Sequence, residues 1–208
     1  NNLLRGIRQA SDLLMALQLT GAFKRQALAN LQVRMPAVVI GGGLTAIDTA
    51  TEVMAFYPQQ VEKTLDRYEA LCATLGEAGV RQVYDPEELQ LLDEFLAHGR
   101  EVRRERQRAL AVGERPNFVL LMQQWGGVSL VYRKSMVDSP AYRLNHEEIA
   151  KSLEEGIRFV ERMNPEEALP DEFGHVGAVR FREQVNEGGK WREGETLVTL
   201  AARSVFVA

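Results

Sequence analysis

The sequence predicts an α/β domain whose parallel central sheet alternates with helices. Short, fully apolar segments are typical of strands in a sheet that is covered on both faces, and stretches with helical spacing follow them. Two further extended segments, 178–185 and 195–201, are joined by a turn rich in Gly and Asn. These two segments predict a small antiparallel β-hairpin appended to the parallel sheet.

The individual elements follow from local patterns. Parallel strands are predicted over residues 37–40, 127–132, 157–160 and 204–208. Helices are predicted over residues 7–19, 44–57 and 146–156. We expect Pro58 to end the second of these helices, because proline in a helix interior costs about 3 kcal/mol.

Residues 59–125 differ from the rest of the chain, because they have helical spacing and no strand pattern. Asp85 followed by Pro86 predicts a helix start inside this segment. Trp125 is expected to anchor its end, and the charge run 100–108 is expected to be a solvated face with pairs along one helix. We therefore predict a helical lead-in over 1–35, a sheet domain over 36–58 and 126–208, and an α-helical insertion over 59–125.

Composition excludes several classes of protein. The chain has 208 residues and a net charge of −4, which gives no electrostatic reason to expect nucleic acid as a partner, because phosphate binding needs a basic surface. No apolar run approaches the roughly 20 residues that cross a membrane. Cys72 is the only cysteine, which excludes a disulfide framework, excludes a cysteine-ligated metal cluster within this chain and fits a reducing cytoplasm. No metal site is expected, since His98, His146 and His175 lack ligand spacing and are predicted to lie on the surface or at helix ends.

A glycine-rich turn follows the strand at 37–40 and precedes the next helix. Gly41, Gly43 and Ala46 match the spacing G-x-G-x-x-A of dinucleotide-binding turns, in which glycines permit a tight turn and close approach of a pyrophosphate. This pattern predicts a Rossmann-like nucleotide-binding domain, although a glycine turn without a ligand remains an alternative. The residues expected to bind the pyrophosphate are Gly41, Gly42, Gly43, Leu44, Thr45 and Ala46.

The end of the second strand indicates which dinucleotide is bound. NAD and FAD sites usually place an acidic residue there, to accept hydrogen bonds from a ribose hydroxyl. This chain has Arg133 and Lys134 instead, which suit the 2′-phosphate of NADP. The alternative is that these are two solvated cations at the end of a strand.

At these residues the sequence resembles the small (beta) subunit of glutamate synthase and the related pyridine nucleotide-disulfide oxidoreductases. The matching segments are distributed along the chain from residue 6 to residue 208. The segments are residues 6–14, 39–50, 131–134, 145–159, 171–174 and 204–208.

The resemblance implies an NADPH-binding domain inserted within an FAD domain, which passes hydride from NADPH to FAD and onward through iron–sulfur clusters. The clusters and the FAD site would lie outside this chain, which we expect to be an inactive, cytoplasmic fragment without a catalytic residue of its own. Leu44 stands where the family often has Asp or Asn, and the interval from Gly43 to Arg133 is longer than usual. The expected partners are the FAD domain and, through the insertion, a partner subunit. An FAD or NAD site and a protein-interaction module with a decayed nucleotide site remain the alternatives.

Overall fold

The computed structural model describes residues 4–208, so the first three residues of the predicted lead-in lie outside the described part. Within it, two sheets and five α-helices form an α/β domain, and a single turn of 3-10 helix spans Met136–Asp138. The strands are β1 (Ile7–Gln9), β2 (Ala37–Ile40), β3 (Val128–Val131), β4 (Arg158–Val160), β5 (Met163–Pro170), β6 (Val176–Glu187), β7 (Lys190–Ala201) and β8 (Ser204–Val207). The helices are α1 (Ala10–Thr20), α2 (Leu44–Arg81), α3 (Pro86–Val112), α4 (Val119–Gln124) and α5 (Pro140–Glu154).

The larger sheet is parallel throughout and has the strand order β1-β8-β2-β3-β4. The smaller sheet is antiparallel, with the order β5-β6-β7. The predicted fold class is therefore confirmed: a Rossmann-like domain with a parallel central sheet, an antiparallel appendage and a long helical insertion. Among the described residues, no helix combines the length and the apolar character that crossing a membrane would require.

Alternate residues of the central strands pack on opposite faces, as the twofold period of a strand dictates. Val39 and Leu130 belong to a core shared with α1, α2 and α5. Val38 and Val131 pack instead with Phe181 of the antiparallel sheet. The parallel sheet is thus covered by helices on one face and by a second sheet on the other, which explains why β2 and β3 contain almost no polar residue.

The helix of the lead-in was predicted to begin at Ile7, and this is wrong at its start. Ile7 lies in β1, which pairs with Val205 at the edge of the parallel sheet. The helix begins only at Ala10, and Ala10 and Leu13 are buried as the spacing predicted. A three-residue strand carries too short a pattern to be distinguished from the first turn of the helix that follows it.

Pro58 does not end a helix, contrary to prediction, because α2 continues through it to Arg81. The cost of an interior proline is about 3 kcal/mol. Burial of Phe56, Tyr57 and Val61 around it outweighs that cost, since each large apolar side chain contributes about 1.5–3 kcal/mol. The predicted boundary of the insertion therefore falls inside one continuous helix, and the first non-helical backbone angles occur at Gly76.

The second half of α2 and all of α3 form most of the insertion. Asp85 and Glu88 make the reciprocal hydrogen bonds of a capping box at the start of α3, with Pro86 in the first turn, as predicted. The charge run was expected to pair along its own helix, but only part of it does. Arg103 reaches Asp66 and Glu69 on α2, so these charges also join the two helices.

Trp125 anchors the insertion, as predicted. Its ring stacks on His98 with centroids 4.1 Å apart, and its indole N–H donates to Glu101 at 3.0 Å. His98 in turn lies 2.7 Å from the hydroxyl of Tyr57. The prediction that His98 and His175 lie at the surface or at helix ends is wrong: His175 is buried, and His98 is half-buried in the middle of α3. Burial lowers the pKa of His98 to about 4, so its ring is neutral near pH 7.

The antiparallel appendage has three strands rather than the predicted two. The additional strand, β5, contains Pro165 and Pro170, which argue against a strand because proline cannot donate to the ladder. It pairs only with β6, so it lies at the sheet edge, where proline is tolerated. The local sequence does not show that this strand lies at an edge, because that position depends on how the whole sheet is assembled.

Candidate functional site

The glycine turn lies at the carboxyl end of β2, at the point where α2 begins. The amide of Gly41 donates to the carbonyl of Val131 at 3.0 Å, which extends the pairing of β2 with β3 by one step. Gly43 is the N-cap residue of α2 and has extended backbone angles. Three residues therefore carry the chain from a buried strand into a buried helix, in the place that the motif predicted.

Gly41 is required by close packing. A Cβ atom at this position would lie 3.0 Å from the side chain and carbonyl oxygen of Ala208 and 3.2 Å from the Cβ of Ala46. Ala46 is itself completely buried. The first glycine and the small residue at the end of the motif thus allow the strand and the helix to approach each other, which is their role in dinucleotide-binding turns.

The outer surface of the turn is open at Gly43. A Cβ added to Gly43 would meet no atom within 4 Å. In the described part of the chain, the amides of Gly43, Leu44 and Thr45 donate to no acceptor, because the first amides of a helix have no partner within it. These amides and the positive end of the dipole of α2 form a cradle for an anion.

Leu44 and Thr45 differ in what their side chains do. Leu44 is half-buried and packs against the main core, so it offers its backbone amide to the cradle and not its side chain. Thr45 is exposed at the first turn of α2, and its carbonyl accepts a hydrogen bond from the Thr49 hydroxyl at 2.7 Å. Both are therefore placed to act through the backbone.

Tyr132 covers the other side of the turn, which the sequence reasoning missed. A Cβ at Gly42 would lie 2.4 Å from the ring of Tyr132, so only glycine permits this contact. Backbone hydrogen bonds from Tyr132 to Val160 and from Met163 to Tyr132 hold this residue in place. The turn is consequently closed at Gly42 and open at Gly43, and an anion has access from the side of Gly43.

Arg133 and Lys134 follow Tyr132 directly and lie at the same edge of the sheet as the turn. Both line a cavity of about 510 Å³ whose remaining walls come from β6, β7 and the turn between them. None of residues 41–46 lines this cavity, so the structure places the two cations beside the glycine turn without joining both in one pocket. Within residues 4–208, neither Arg133 nor Lys134 forms an ion pair.

The arrangement thus has two separate positive features along one edge of the sheet. The first is the cradle of backbone amides at the start of α2. The second is the cavity containing Arg133 and Lys134, and Tyr132 lies between the two. By its chemistry, each of the two features suits an anionic group such as a phosphate.

No family model matches the chain. The chain is 36% identical over 177 residues to the uncharacterized protein RP006 of Rickettsia prowazekii (strain Madrid E), a match that covers 85% of the chain and 22% of that protein.

Two solved structures similar to the chain come from Mycobacterium tuberculosis. One is the His57Gln mutant of FprA, with a TM-score of 0.44 and 14% identity, and the other is FprA in complex with NADPH, with a TM-score of 0.42 and 13% identity. Each match covers 99% of this chain and 45% of the FprA chain. The chain therefore spans about a fifth of its Rickettsia relative and less than half of FprA.

Proposed function

We propose that this chain binds NADPH and serves as the NADPH-binding domain of a larger FAD-dependent oxidoreductase. The observation that supports this most strongly is the pairing of an open amide cradle at Gly43 with two cations one strand away, Arg133 and Lys134, which form no ion pair within residues 4–208. A dinucleotide with only a pyrophosphate needs the cradle alone. A dinucleotide with an additional 2′-phosphate needs both features.

The separation of the two features fits the chemistry of NADPH. Its pyrophosphate and its 2′-phosphate are attached to different positions of the adenosine ribose, so two separate groups of donors can hold them. The amides of Gly43, Leu44 and Thr45 would hold the pyrophosphate. The guanidinium of Arg133 and the ammonium of Lys134 would hold the 2′-phosphate. The four residues directly after β3, 132–135, include no acidic residue that could accept a hydrogen bond from a ribose hydroxyl.

The chain's contribution to catalysis in this proposal is the placement of the nicotinamide ring. Reduced nicotinamide, when bound, supplies a hydride, and transfer to a flavin requires no general acid or base from the protein. The flavin would be bound by the remainder of the parent protein. The resemblance to the small subunit of glutamate synthase supports this arrangement and extends the proposal to iron–sulfur clusters elsewhere in that protein.

Isothermal titration calorimetry with NADPH, NADP, NAD and FAD tests the proposal. We expect NADPH and NADP to bind with clear preference over NAD and FAD. Arg133→Ala should weaken NADPH binding about tenfold and leave NAD binding unchanged, because one charge-assisted hydrogen bond contributes roughly 1.4 kcal/mol. Arg100→Ala is the matched control, since Arg100 is an exposed arginine on α3, in the insertion.

The other outcomes separate the alternatives. Equal affinity for NAD, or preferential binding of FAD, would show that the cations after β3 do not select a 2′-phosphate. Binding of none of the four ligands would favour a protein-interaction module. In that case the exposed apolar residues of the insertion would be the first surface to test; they include Leu110, Val112 and Leu120.

A further inference from the structure

We propose that the hairpin formed by β6 and β7 completes the adenosine 2′-phosphate site, with Lys190 as a third cation for the phosphate and Trp191 as the aromatic surface for adenine. This inference rests on the proposed function, because it identifies further residues that bind the same nucleotide. It concerns a segment that lies far along the chain from the glycine turn and from the end of β3.

The cavity beside Arg133 is the first observation. Its volume of about 510 Å³ lies within the roughly 300–1,000 Å³ typical of ligand pockets. One wall is formed by the residues that follow β3 and the opposite wall by the hairpin. The residues that line it are Arg133, Lys134, Gln184, Gly189, Lys190 and Trp191.

Backbone hydrogen bonds fix the hairpin against the end of β3. The amide of Arg162 donates to the carbonyl of Lys134 at 3.0 Å, and the amide of Gln184 donates to the carbonyl of Arg162 at 2.7 Å. These two bonds connect the chain after β3 to β6 through a single residue. The opposing walls of the cavity are therefore held at a defined separation and do not depend on side-chain contacts.

The distribution of ion pairs distinguishes the cavity from its surroundings. Cations elsewhere on the antiparallel sheet have carboxylate partners, among them Arg180 with Glu167 at 2.8 Å and Arg192 with Glu187 at 3.6 Å. Within residues 4–208, Lys190 forms no ion pair, and neither do the two cations after β3. Three like charges around one cavity repel each other unless an anion lies between them, so the cavity has the electrostatics of a phosphate site.

Trp191 supplies the second chemical feature of the cavity. It is half-buried, and it lies opposite Asn186 in the ladder between β6 and β7. A flat aromatic surface next to a phosphate site suits a purine base, because bases stack on aromatic side chains. Phosphate and base are joined through one ribose in adenosine 2′-phosphate, and this cavity offers a partner to each.

Titration of the full 208-residue chain with NADPH, NADH and adenosine 2′,5′-bisphosphate tests the inference. Lys190→Ala should weaken the binding of NADPH and of the bisphosphate about fivefold. It should leave the binding of NADH unchanged, because NADH lacks the 2′-phosphate. Trp191→Leu should weaken all three ligands about tenfold, because all three contain adenine. Arg192→Ala is the matched control, as it removes a cation from the same hairpin that does not line the cavity.

The outcomes distinguish this inference from the function on which it rests. If Lys190→Ala and Trp191→Leu bind NADPH like the wild type while Arg133→Ala loses affinity, the hairpin has no part in the site and the proposed function stands. If the wild-type chain binds none of the three ligands, both proposals are overturned. Because Lys190 is exposed, its substitution leaves the packing of the hairpin intact.

Discussion

Glu87→Ala is expected to lower the free energy of unfolding by about 3 kcal/mol, because it leaves a buried cation without its partner. Glu87, in the first turn of α3, contacts Arg34 at 3.0 Å, and the two side chains are only 11% and 7% exposed. It also contacts Arg5 at 2.8 Å. Nε of Arg34 is buried and has no hydrogen-bond partner among the described residues, so the guanidinium depends on this carboxylate. Urea denaturation followed by circular dichroism measures the effect.

The control for this prediction is an ion pair of similar geometry in contact with solvent. Arg81 and Asp93 form two hydrogen bonds of 2.7 and 2.8 Å, and Asp93 is 56% exposed. Asp93→Ala should cost less than about 1 kcal/mol. The double variant Arg34→Met/Glu87→Leu should have a free energy of unfolding closer to that of the wild type than Glu87→Leu alone has, because no charge then stays buried. If Glu87→Ala and Asp93→Ala lowered the free energy of unfolding equally, the conclusion that a buried ion pair joins the lead-in to α3 would be contradicted.

Gly43→Asp is expected to weaken NADPH binding by at least about 100-fold without lowering the free energy of unfolding. The extended backbone angles of Gly43, φ −94° and ψ 174°, are those of an N-cap, and a Cβ there meets nothing within 4 Å. Aspartate is a favoured N-cap residue and should stabilise α2 by a few tenths of a kcal/mol relative to glycine. Its carboxylate would occupy the amides of the cradle and repel a pyrophosphate, and like charges in contact cost several kcal/mol.

Gly43→Asn provides the matched comparison, since asparagine has the same shape, also caps helices and carries no charge. It should weaken NADPH binding less than Gly43→Asp does, while thermal unfolding of both variants stays at or above the wild-type temperature. Calorimetry gives the affinities. Unimpaired NADPH binding by Gly43→Asp would mean that the pyrophosphate does not contact the start of α2.

The sequence was most informative where a structural requirement is local. The four apolar residues of β2, the three glycines and Ala46 are adjacent in the chain, and the close approach of Gly41 to Ala46 is a consequence of that spacing. The capping box at Asp85 is likewise complete within four residues. Strand, turn and helix start were therefore predictable in kind and in position.

The features that were missed depend on contacts between distant segments. Pro58 is tolerated because α2 is buried on both sides of it, and β5 is tolerated as a strand because it lies at an edge. The ring of Tyr132 against Gly42 follows from the register of β2 with β3. Lys190 and Trp191 come to the cavity only through the packing of the antiparallel sheet beside β3. No short sequence pattern contains these relations.

The most direct test of the central claim is an amide nuclear magnetic resonance titration of the 208-residue chain with NADPH. The account predicts that the amide resonances of Gly43, Leu44 and Thr45 shift on binding, together with those of Arg133 and Lys134, while residues of the distant insertion stay unchanged. NADH should shift the first group and have a much smaller effect on the second. Shifts confined to other parts of the chain, or no shifts at saturating NADPH, would contradict the assignment of this turn and these cations to a dinucleotide site.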